Sequence, residues 1–442
     1  MPSLFDEVKS EQNIFSAWRH VKASALRSSN KEMNGIAADF EHNHQRHLRR
    51  IISQLREGRF EFDKAKGVLK DAKARIALGK DPRPLTIGTL KNRIVQRAIL
   101  QILQPTKRED PKKANSKLIL SEDMRLGKIN DVNRSKFGVG GLVAPYGGVK
   151  RAIETILDGM SDGAKYYYRS DIKSFFTKIP TPIVTDFVLN NTKDENLTRL
   201  FERSLIVELD NENELGKFKS LFPAGGIGVA QGSALSTFAG NVLLYDLDQR
   251  VNELDVICVR YVDDILMIAR TEESIDRAKD LYADGLRKLG FDIYSPTKGS
   301  DKAARGQCVN AIDFLGCTLQ PNRCVPSSAS ARKFKEDVGK IISESKRKIK
   351  KFCDKGGDFD PKYSQISSLD LISKKVQGWQ KSFSFCTESS VFSKIDADLR
   401  VCIDDYISVV RRLASGKSAV VRMSVLGIPS MELLYASKKS QD

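Results

Sequence analysis

Two adjacent aspartates lie inside the most apolar stretch of the chain, and they limit how this stretch can fold. Residues 256–269 have the sequence VICVRYVDDILMIA, in which Asp263 and Asp264 separate two short runs of mostly apolar residues. Short runs rich in Val and Ile are typical of buried strands. Adjacent carboxylates repel each other, and burial raises their pKa. The pattern therefore predicts a β-hairpin that carries the two acids at its tip.

A divalent cation at this tip would neutralise the two carboxylates. Mg²⁺ prefers hard oxygen ligands, takes one or two carboxylates, and completes its shell with water and phosphate oxygens. The alternative interpretation is an Asp-Asp turn on a solvated hairpin that holds no ion. The four residues at 261–264 are compatible with both interpretations.

A third acid changes the balance between these interpretations. Asp171 ends a strand predicted over residues 165–172 (KYYYRSDI), and two phenylalanines follow it. If this strand lies beside the hairpin, Asp171 joins Asp263 and Asp264 in one cluster. Three converging carboxylates can hold two Mg²⁺ ions, one that activates a 3′-hydroxyl and one that stabilises a pyrophosphate leaving group. The alternative is that Asp171 caps a following helix.

The order of the predicted elements indicates the fold class. Apolar residues recur at helical spacing over residues 12–58, 88–104 and 333–352, and a further helix is predicted over 236–254, after a glycine-containing loop. Residues 106–135 are polar and basic, and we expect an exposed loop or insertion there. Helical regions therefore flank a middle part of mixed strands and helices, which predicts an α+β fold.

The chain carries a large excess of basic residues. Lys and Arg number 73 against 56 Asp and Glu, which gives a formal net charge of +17. Such an excess indicates a polyanionic partner, with nucleic acid as the first candidate and a membrane surface as the second. The sequence has no run of 18 uncharged apolar residues, so we expect no membrane-spanning helix.

The cysteines and the N-terminal sequence bear on the cellular compartment. Seven cysteines lie in the second half of the chain, and none form a C-x-x-C pair. An odd number of cysteines without a recognisable framework indicates reduced thiols. The sequence shows no basic-then-apolar leader, so we expect a cytoplasmic protein.

Six segments occur in an order that a known family shares. They are RPLTIGTLKNRIVQRAIL at 83–100, SDIKSFF at 170–176, AQGSALSTFAGNVLLYDLD at 230–248, YVDD at 261–264, GFDIYSPTKGS at 290–300 and FLG at 314–316. Each motif is weak alone, whereas their joint occurrence in this order is a strong signal. Through them the chain resembles the bacterial reverse transcriptases, the group that contains group II intron, retron and phage-defence enzymes.

This resemblance implies a right-hand polymerase fold with fingers, palm and thumb around an antiparallel palm sheet. It implies a helical N-terminal extension at 1–75, fingers and palm at 76–325, and a basic helical thumb with a C-terminal tail at 326–442. The implied activity is that of a nucleotidyltransferase that synthesises DNA on an RNA template. It would use two Mg²⁺ ions, for which Mn²⁺ is a substitute.

The resemblance also assigns roles at the acidic cluster. Asp171 and Asp263 would bind both ions, with Asp264 in support and the backbone carbonyl of Ile172 as a further ligand. Phe176 would block a ribose 2′-hydroxyl and so select deoxynucleotides. The alternative for this aromatic position is core packing, which suits the preceding phenylalanine better.

Other residues are implied to contact the nucleotide and the nucleic acid. The nucleotide contacts would be Gln231 and Gly232 near the base, Arg83 and Arg169 at the triphosphate, and Lys298 at the pyrophosphate. An ordinary loop glycine and a solvated lysine are the alternatives at two of these positions. The template–primer duplex would lie along a basic helix face, formed by Lys346, Arg347, Lys348, Lys350 and Lys351. The alternative is a solvated face.

The implied partners are RNA as template or non-coding RNA, the DNA product and dNTPs, together with a homo-oligomer or an accessory defence protein. No membrane partner is expected. Three other functions stay open. They are protein-primed or untemplated DNA synthesis by the same site, a non-enzymatic RNA-binding scaffold, and a viral-type RNA-dependent RNA polymerase, which an aromatic at position 176 disfavours.

The sequence favours one biological setting within the family. It lacks a Cys/His-rich endonuclease module after the thumb pattern, and it lacks the Asn-Ala-x-x-His and Val-Thr-Gly elements of retron enzymes. We therefore expect a stand-alone bacterial enzyme of phage defence.

Overall fold

The polypeptide divides into two units, Met1–Gln307 and Cys308–Asp442. The computed structural model describes residues 2–28, 31–113, 115–297, 302–431 and 435. The division into three domains, with boundaries after residues 75 and 325, stays a prediction.

The first unit contains more helix than strand. Its helices are α1 (Leu4–Val8), α2 (Glu11–Ala25), α3 (Lys31–His42), α4 (His44–Arg56), α5 (Ala72–Ala77), α6 (Leu90–Leu103), α7 (Ile129–Asn133), α8 (Val149–Ser161), α9 (Phe175–Lys178), α10 (Thr181–Thr192), α11 (Glu195–Leu205), α12 (Glu212–Leu215), α13 (Ser236–Asn252) and α14 (Glu272–Lys288). Its strands are β1 (Lys66–Lys70), β2 (Arg83–Ile87), β3 (Thr106–Arg108), β4 (Leu118–Leu120), β5 (Tyr166–Asp171), β6 (Val256–Tyr261), β7 (Asp264–Ala269) and β8 (Ala303–Gln307).

Four of these strands form the central sheet of the first unit. Their order is β6-β7-β5-β8, and each neighbouring pair is antiparallel. The hairpin predicted over residues 256–269 is therefore confirmed, and the strand predicted over 165–172 lies directly beside it. Residues 265–269 of β7 are all buried, as expected for an inner strand with both faces covered. Helices α8, α13 and α14 pack against this sheet.

The helical pattern near the N-terminus forms several separate helices. Helices α2 and α4 turn their apolar positions inward, so that Trp18 and Val21 on α2, and Leu48 and Ile52 on α4, are buried. Helix α2 packs on α6, which confirms the helix predicted over residues 88–104. Burial of these amphipathic faces supplies most of the stability of such helices.

The prediction of an exposed loop over residues 106–135 is wrong in its second half. The short strands β3 and β4 form a hairpin, and α7 then follows a 3₁₀ turn. Leu126, Ile129 and Val132 are fully buried, and the Asn133 side chain donates a hydrogen bond to the carbonyl of Leu103 at 2.7 Å. Three apolar residues spaced three apart are too few to give a clear helical period among so many charged neighbours.

A buried ion pair joins α13 to the central sheet. Arg260 on β6 and Asp248 on α13 are each 1% exposed, and Arg260 Nη2 lies 2.6 Å from Asp248 Oδ2. The hydroxyl of Tyr282 on α14 donates to Asp248 Oδ1 at 2.8 Å. Burial alone would lower the pKa of Arg260, but the negative charge of Asp248 raises it above its usual value. The guanidinium is therefore charged and depends on this one carboxylate.

The second unit combines a small sheet with long helices. Its elements are β9 (Ile312–Phe314), β10 (Cys317–Gln320), β11 (Arg323–Pro326), α15 (Ser328–Lys355), α16 (Gln365–Ser382), α17 (Ser390–Ala414) and α18 (Ala419–Leu426). The strands form an antiparallel sheet in the order β11-β10-β9. Helix α15 contains the helix predicted over 333–352, and its buried residues Phe334, Val338, Ile342 and Ile349 pack with α16 and α17.

The α+β class predicted from the sequence is confirmed, with an antiparallel sheet in the first unit and helical regions at both ends of the chain. Of the helices that the structure describes, none has the length and apolar character needed to cross a lipid bilayer.

The buried pair leads to a stability prediction. We expect Asp248→Ala to lower the free energy of unfolding by about 3–5 kcal/mol, because it leaves the Arg260 charge buried without a counter-charge. Chemical denaturation of the full chain, followed by circular dichroism, measures the change.

Asp246→Ala is the matched control, because Asp246 is an exposed acid on the same helix. We expect it to change the free energy of unfolding by no more than about 0.5 kcal/mol. Equal effects of the two substitutions would show that the buried ion pair contributes no more to the free energy of unfolding than an exposed acid does.

Candidate active site

The pairing of β5 with β7 brings the three predicted acids to one edge of the central sheet. Asp171, the last residue of β5, is the register partner of Asp264, the first residue of β7. Directly opposed residues on antiparallel strands have Cβ atoms about 4.5–5.5 Å apart. The backbone N–H of Ile172 donates to the carbonyl of Asp263 at 2.8 Å, which ties the end of β5 to the hairpin tip. Asp171 is therefore part of a strand and does not cap a helix.

The hairpin tip has an unusual backbone. Tyr261 pairs with Asp264, so the turn consists of Val262 and Asp263 alone. Val262 has a φ of +64°, a value that β-branched residues rarely adopt. Positive φ at only the first of two loop residues is the pattern of a type II′ turn, in which glycine is usual. The surrounding structure must therefore hold this turn in place.

Two contacts hold the turn. The Nη1 group of Arg260 donates to the carbonyl of Val262 at 3.0 Å. On the other side, the backbone of Gly140 lies so close that a Cβ atom there would be 2.5 Å from the Val262 nitrogen. The side chain of Asn241 donates to the Gly140 carbonyl at 2.8 Å and fixes this segment to α13. The buried Arg260 thus positions the acidic tip as well as joining α13 to the sheet.

The acids are in an electrostatically unfavourable environment. Burial raises the pKa of Asp263, and the charge of Asp171 raises it further. Burial, a hydrogen bond with Asp171 and the charges of both other acids raise the pKa of Asp264 to about 7. A divalent cation among these carboxylates would reverse the electrostatic part of both shifts, because an opposite charge favours the ionised form.

These residues fit a hard divalent cation in the chemistry of their donors. Asp171, Asp263 and Asp264 offer carboxylate oxygens, and Ile172 directly follows Asp171 in the chain and has a backbone carbonyl of the same ligand type. Among the described residues, however, a group of three potential ligand atoms within 4.8 Å of one another is formed by cysteines of the second unit and not by these acids. The carboxylate of Asp171 makes an ion pair with Lys302.

Lys302 is a site residue that the sequence analysis missed. Its ammonium group contacts Asp171 Oδ2, and its carbonyl accepts a hydrogen bond from the Asp171 N–H at 3.1 Å. The sequence prediction named Lys298 instead, and that residue lies outside the described residues. The sequence alone does not show that β8 pairs with β5. In this pairing Ala303 lies opposite Ser170, so Lys302, which precedes Ala303, lies beside Asp171.

Gln231 and Gly232 lie beside β2 and line a pocket with Thr86 and Arg93. The N–H of Thr86 donates to the Gln231 carbonyl at 3.1 Å. Gly232 has a φ of +119°, and a Cβ atom there would lie 3.2 Å from the Thr86 carbonyl oxygen. Both the backbone angle and the close approach favour glycine at this position.

The two predicted arginines also lie near the acids. Arg83 begins β2, and its charge lowers the pKa of Asp263 against the larger effect of burial. Arg169 precedes Asp171 by two residues on β5, so both side chains project from the same face of the strand.

The two phenylalanines after Asp171 differ in burial, as the sequence analysis expected. Phe175 is 3% exposed and packs against Phe291, with ring centroids 5.6 Å apart. Phe176 is only partly buried, and its carbonyl accepts a hydrogen bond from the Val229 N–H at 2.7 Å. Phe176 is therefore the more accessible aromatic side chain next to the acids.

The basic residues of α15 are partly engaged inside the second unit. Lys346 pairs with Asp405 of α17 at 2.5 Å, and Arg347 lies 3.8 Å from Glu344. Lys348 lies over the ring of Tyr363, 5.3 Å from its centroid. Lys350 and Lys351 are exposed at the C-terminal end of the helix. The five residues thus differ in how freely they can contact an external anion.

The sequence profile of one family matches the chain. The family is described as "Reverse transcriptase (RNA-dependent DNA polymerase)", and the match covers residues 70–319, which is more than half of the chain. It includes Asp171, Asp263 and Asp264. Among curated protein sequences no match was found.

Several solved structures are similar at low sequence identity. A "Partial Cas6-RT-Cas1--Cas2 complex" shares 17% identity with a TM-score of 0.35, over 65% of this chain and 42% of that chain. Telomerase from Candida albicans, with a TWJ fragment of telomeric RNA, shares 14% identity with a TM-score of 0.40, over 85% of this chain and 61% of that chain. Apo telomerase from Candida tropicalis shares 14% identity with a TM-score of 0.41, over 80% and 62% respectively. The chain thus spans less than two thirds of the length of these structures.

The contact between Lys302 and Asp171 leads to a prediction about cation binding. The ammonium group and a divalent cation compete for the same carboxylate, so we expect Lys302→Ala to bind Mn²⁺ more tightly. A gain of about 1 kcal/mol, or ~5-fold in the dissociation constant, is the expected scale for a partly exposed charge. Electron paramagnetic resonance of free Mn²⁺ measures the affinity.

Lys165→Ala is the control, because Lys165 is exposed at the opposite end of the strand that carries Asp171. Its Mn²⁺ affinity is expected to equal that of the parental chain. Unchanged or weaker binding in Lys302→Ala would contradict the competition.

Proposed function

The chain belongs to the reverse transcriptase family, and from this membership we propose that it is a nucleotidyltransferase that synthesises DNA on an RNA template. The observation that carries the proposal is the register of β5 and β7, which makes Asp171 and Asp264 direct neighbours beside the Asp263 turn. A scaffold that only binds RNA has no need for three acids at one sheet edge, where their mutual repulsion is unfavourable.

Asp171 and Asp263 would hold two Mg²⁺ ions, with Asp264 in support and the carbonyl of Ile172 as a further ligand. When bound, the ions activate the 3′-hydroxyl of the primer and stabilise the pyrophosphate leaving group. Mn²⁺ has similar oxygen-ligand preferences and would substitute for Mg²⁺. The contribution of the chain is to keep the carboxylates in a fixed arrangement, through the turn at Val262 and the buried Arg260 behind it.

The incoming dNTP would lie between the acids and the pocket lined by Gln231 and Gly232. The guanidinium groups of Arg83 and Arg169 would bind the triphosphate, for which their planar donors are well suited. Phe176 would occupy the space that a ribose 2′-hydroxyl needs, and its partial burial and the hydrogen bond of its backbone to Val229 would keep it rigid. Lys298 remains the candidate for the pyrophosphate contact.

The template–primer duplex would lie along the basic residues of α15. Lys346, Arg347, Lys348, Lys350 and Lys351 can neutralise backbone phosphates, which makes binding dependent on salt. Lys350 and Lys351 would contribute most, because they are exposed, whereas Lys346 already pairs with Asp405.

The finer biological role is inferred from the sequence motifs shared with the bacterial enzymes. We propose that the template is a non-coding RNA, that the DNA product serves anti-phage defence in the bacterial cytoplasm, and that further copies of the chain or an accessory defence protein take part.

The first prediction of this proposal concerns Asp263. We expect Asp263→Ala to lower Mg²⁺-dependent incorporation of dNTPs on an RNA template by at least ~100-fold, because the loss of a direct ligand should exceed the 10–100-fold effect of losing an outer-shell residue. Primer extension with labelled dNTPs measures the rate.

Asp255→Ala is the matched control, because Asp255 is an exposed acid directly before the first residue of β6, at the end of this strand that is away from the hairpin tip. It is expected to retain the parental rate. If Asp263→Ala also polymerises at the parental rate, the assignment of the metal ligands is wrong.

The same variants decide between templated and untemplated synthesis. Nucleic acid that copurifies from cells with the parental chain should include DNA complementary to a bound RNA, and Asp263→Ala should carry the RNA without that DNA. Random or homopolymeric DNA attached to the protein would instead support protein-primed or untemplated synthesis.

Plating of phage on cells that carry the parental chain and on cells that carry Asp263→Ala tests the defence role. This role requires that only the parental chain protects the cells.

The second prediction concerns sugar selection. We expect Phe176→Val to lower the preference for dNTPs over rNTPs by about 10-fold or more, because a smaller side chain leaves room for the 2′-hydroxyl. Single-nucleotide incorporation with both substrates measures the ratio of kcat/KM values.

Phe187→Val is the control, since Phe187 is a partly buried phenylalanine of the same unit on α10. Its selectivity is expected to match that of the parental chain. Unchanged selectivity in Phe176→Val would remove the steric role from Phe176.

A further inference from the structure

Three cysteines of the second unit come together although they are far apart in the sequence. Cys317 lies on β10, Cys324 on β11, and Cys386 in the connection between α16 and α17. Their Sγ atoms all lie within 4.8 Å of one another, and those of Cys324 and Cys386 are 3.7 Å apart. Cys317 and Cys324 are buried, whereas Cys386 is half-buried. Their spacing in the sequence forms no compact motif and therefore predicts only separate reduced thiols.

The hairpin of β10 and β11 places the first two sulfurs. Cys317 pairs with Pro326, and Cys324 pairs with Leu319 two positions along. Cys317 and Cys324 are therefore diagonal neighbours on one face of the hairpin, within reach of each other.

Contacts that do not involve sulfur fix the third cysteine beside the hairpin. The N–H of Thr387 donates to the Cys324 carbonyl at 2.8 Å, and the Cys324 N–H donates to the Thr387 hydroxyl at 2.9 Å. Arg323 donates to both carboxylate oxygens of Glu388, at 2.8 and 3.2 Å. The arrangement of the three thiols is thus built into the surrounding hydrogen bonds.

The spacing of the sulfurs fits a metal ion better than a disulfide. A disulfide requires sulfur atoms about 2.05 Å apart and would leave one thiol of the three without a partner. A tetrahedral ion with metal–sulfur bonds of about 2.3 Å separates its sulfur ligands by ~3.8 Å. The 3.7 Å between Cys324 and Cys386 agrees with this separation. Thiolates are soft ligands that favour Zn²⁺ over the hard cations suited to carboxylates.

We propose that Cys317, Cys324 and Cys386 bind one Zn²⁺ ion. Water fills the fourth position, since the described residues offer no fourth His, Cys, Asp or Glu in this cluster and Cys386 is partly exposed to solvent. Binding transfers the thiol protons to solvent and involves no change of oxidation state.

The bound ion would act as a cross-link within the second unit. It would join the β10–β11 hairpin to the connection that precedes α17, because Cys324 and Cys386 are 62 positions apart in the sequence. An ion that binds only the folded unit stabilises it by mass action. This role is independent of the polymerase chemistry of the first unit, so the two proposals can fail separately.

Metal analysis of the full chain provides the first test. Protein purified with a reducing agent and without a chelator is expected to retain about one zinc per chain, measured by inductively coupled plasma mass spectrometry. Cys386→Ser is expected to lose at least ~10-fold in zinc affinity. Cys402→Ser is the matched control, because Cys402 is an exposed cysteine on α17 outside the cluster, and it should retain the metal.

Cobalt titration provides a second test that does not depend on the folding of a variant. Parental protein stripped of metal and titrated with Co²⁺ should develop thiolate-to-cobalt absorption that saturates at one equivalent, and added Zn²⁺ should abolish it. The thermal midpoint of unfolding should rise on addition of Zn²⁺. The proposal would be overturned if neither effect occurs although alkylation shows that the thiols of Cys317, Cys324 and Cys386 are reduced. A disulfide between Cys324 and Cys386 in the reduced preparation would also overturn it.

Discussion

Repulsion among like charges is the constraint to which much of the first unit responds. Register alone sets Asp171 against Asp264 at the edge of the central sheet, where burial makes every uncompensated carboxylate costly. An ion pair with Lys302 offsets part of the repulsion at Asp171. Arg260, which is paired with Asp248 in the interior, contributes by holding the turn that carries Asp263. The fold therefore gives up stability locally in order to keep three acids together, as functional sites commonly do.

Much of this arrangement could be predicted from the sequence, because strongly patterned segments carry their own structural signal. The apolar runs around Asp263 and Asp264 predict the hairpin. The helices predicted over residues 88–104 and 236–254 match α6 and α13 at nearly their observed limits, and the amphipathic period over 333–352 predicts the middle of the longer helix α15. The interruption of an apolar, aromatic strand by Asp171 was informative because an acid there needs a partner. The different burial of Phe175 and Phe176 also follows from their positions after this strand.

Other parts could not be predicted, because they depend on contacts between distant segments. Lys302 contacts Asp171 only because β8 pairs with β5. Arg260 can be buried only because Asp248 on α13 lies beside it. Helix α7 is held by a few buried apolar residues in a charged segment, which gives no clear period. The cysteine cluster is the strongest example, since Cys386 joins it through hydrogen bonds of Thr387 and an ion pair of Glu388.

The left-handed backbone at Val262 has a consequence for turnover. A valine at this φ costs of the order of 1–3 kcal/mol, and the contacts with Arg260 and with the close backbone of Gly140 offset this cost. The loss of conformational entropy at the tip is thus incurred once, when the chain folds. In the proposed reaction, these carboxylates would have little freedom left to lose as the transition state forms, so each cycle would begin with them preorganised.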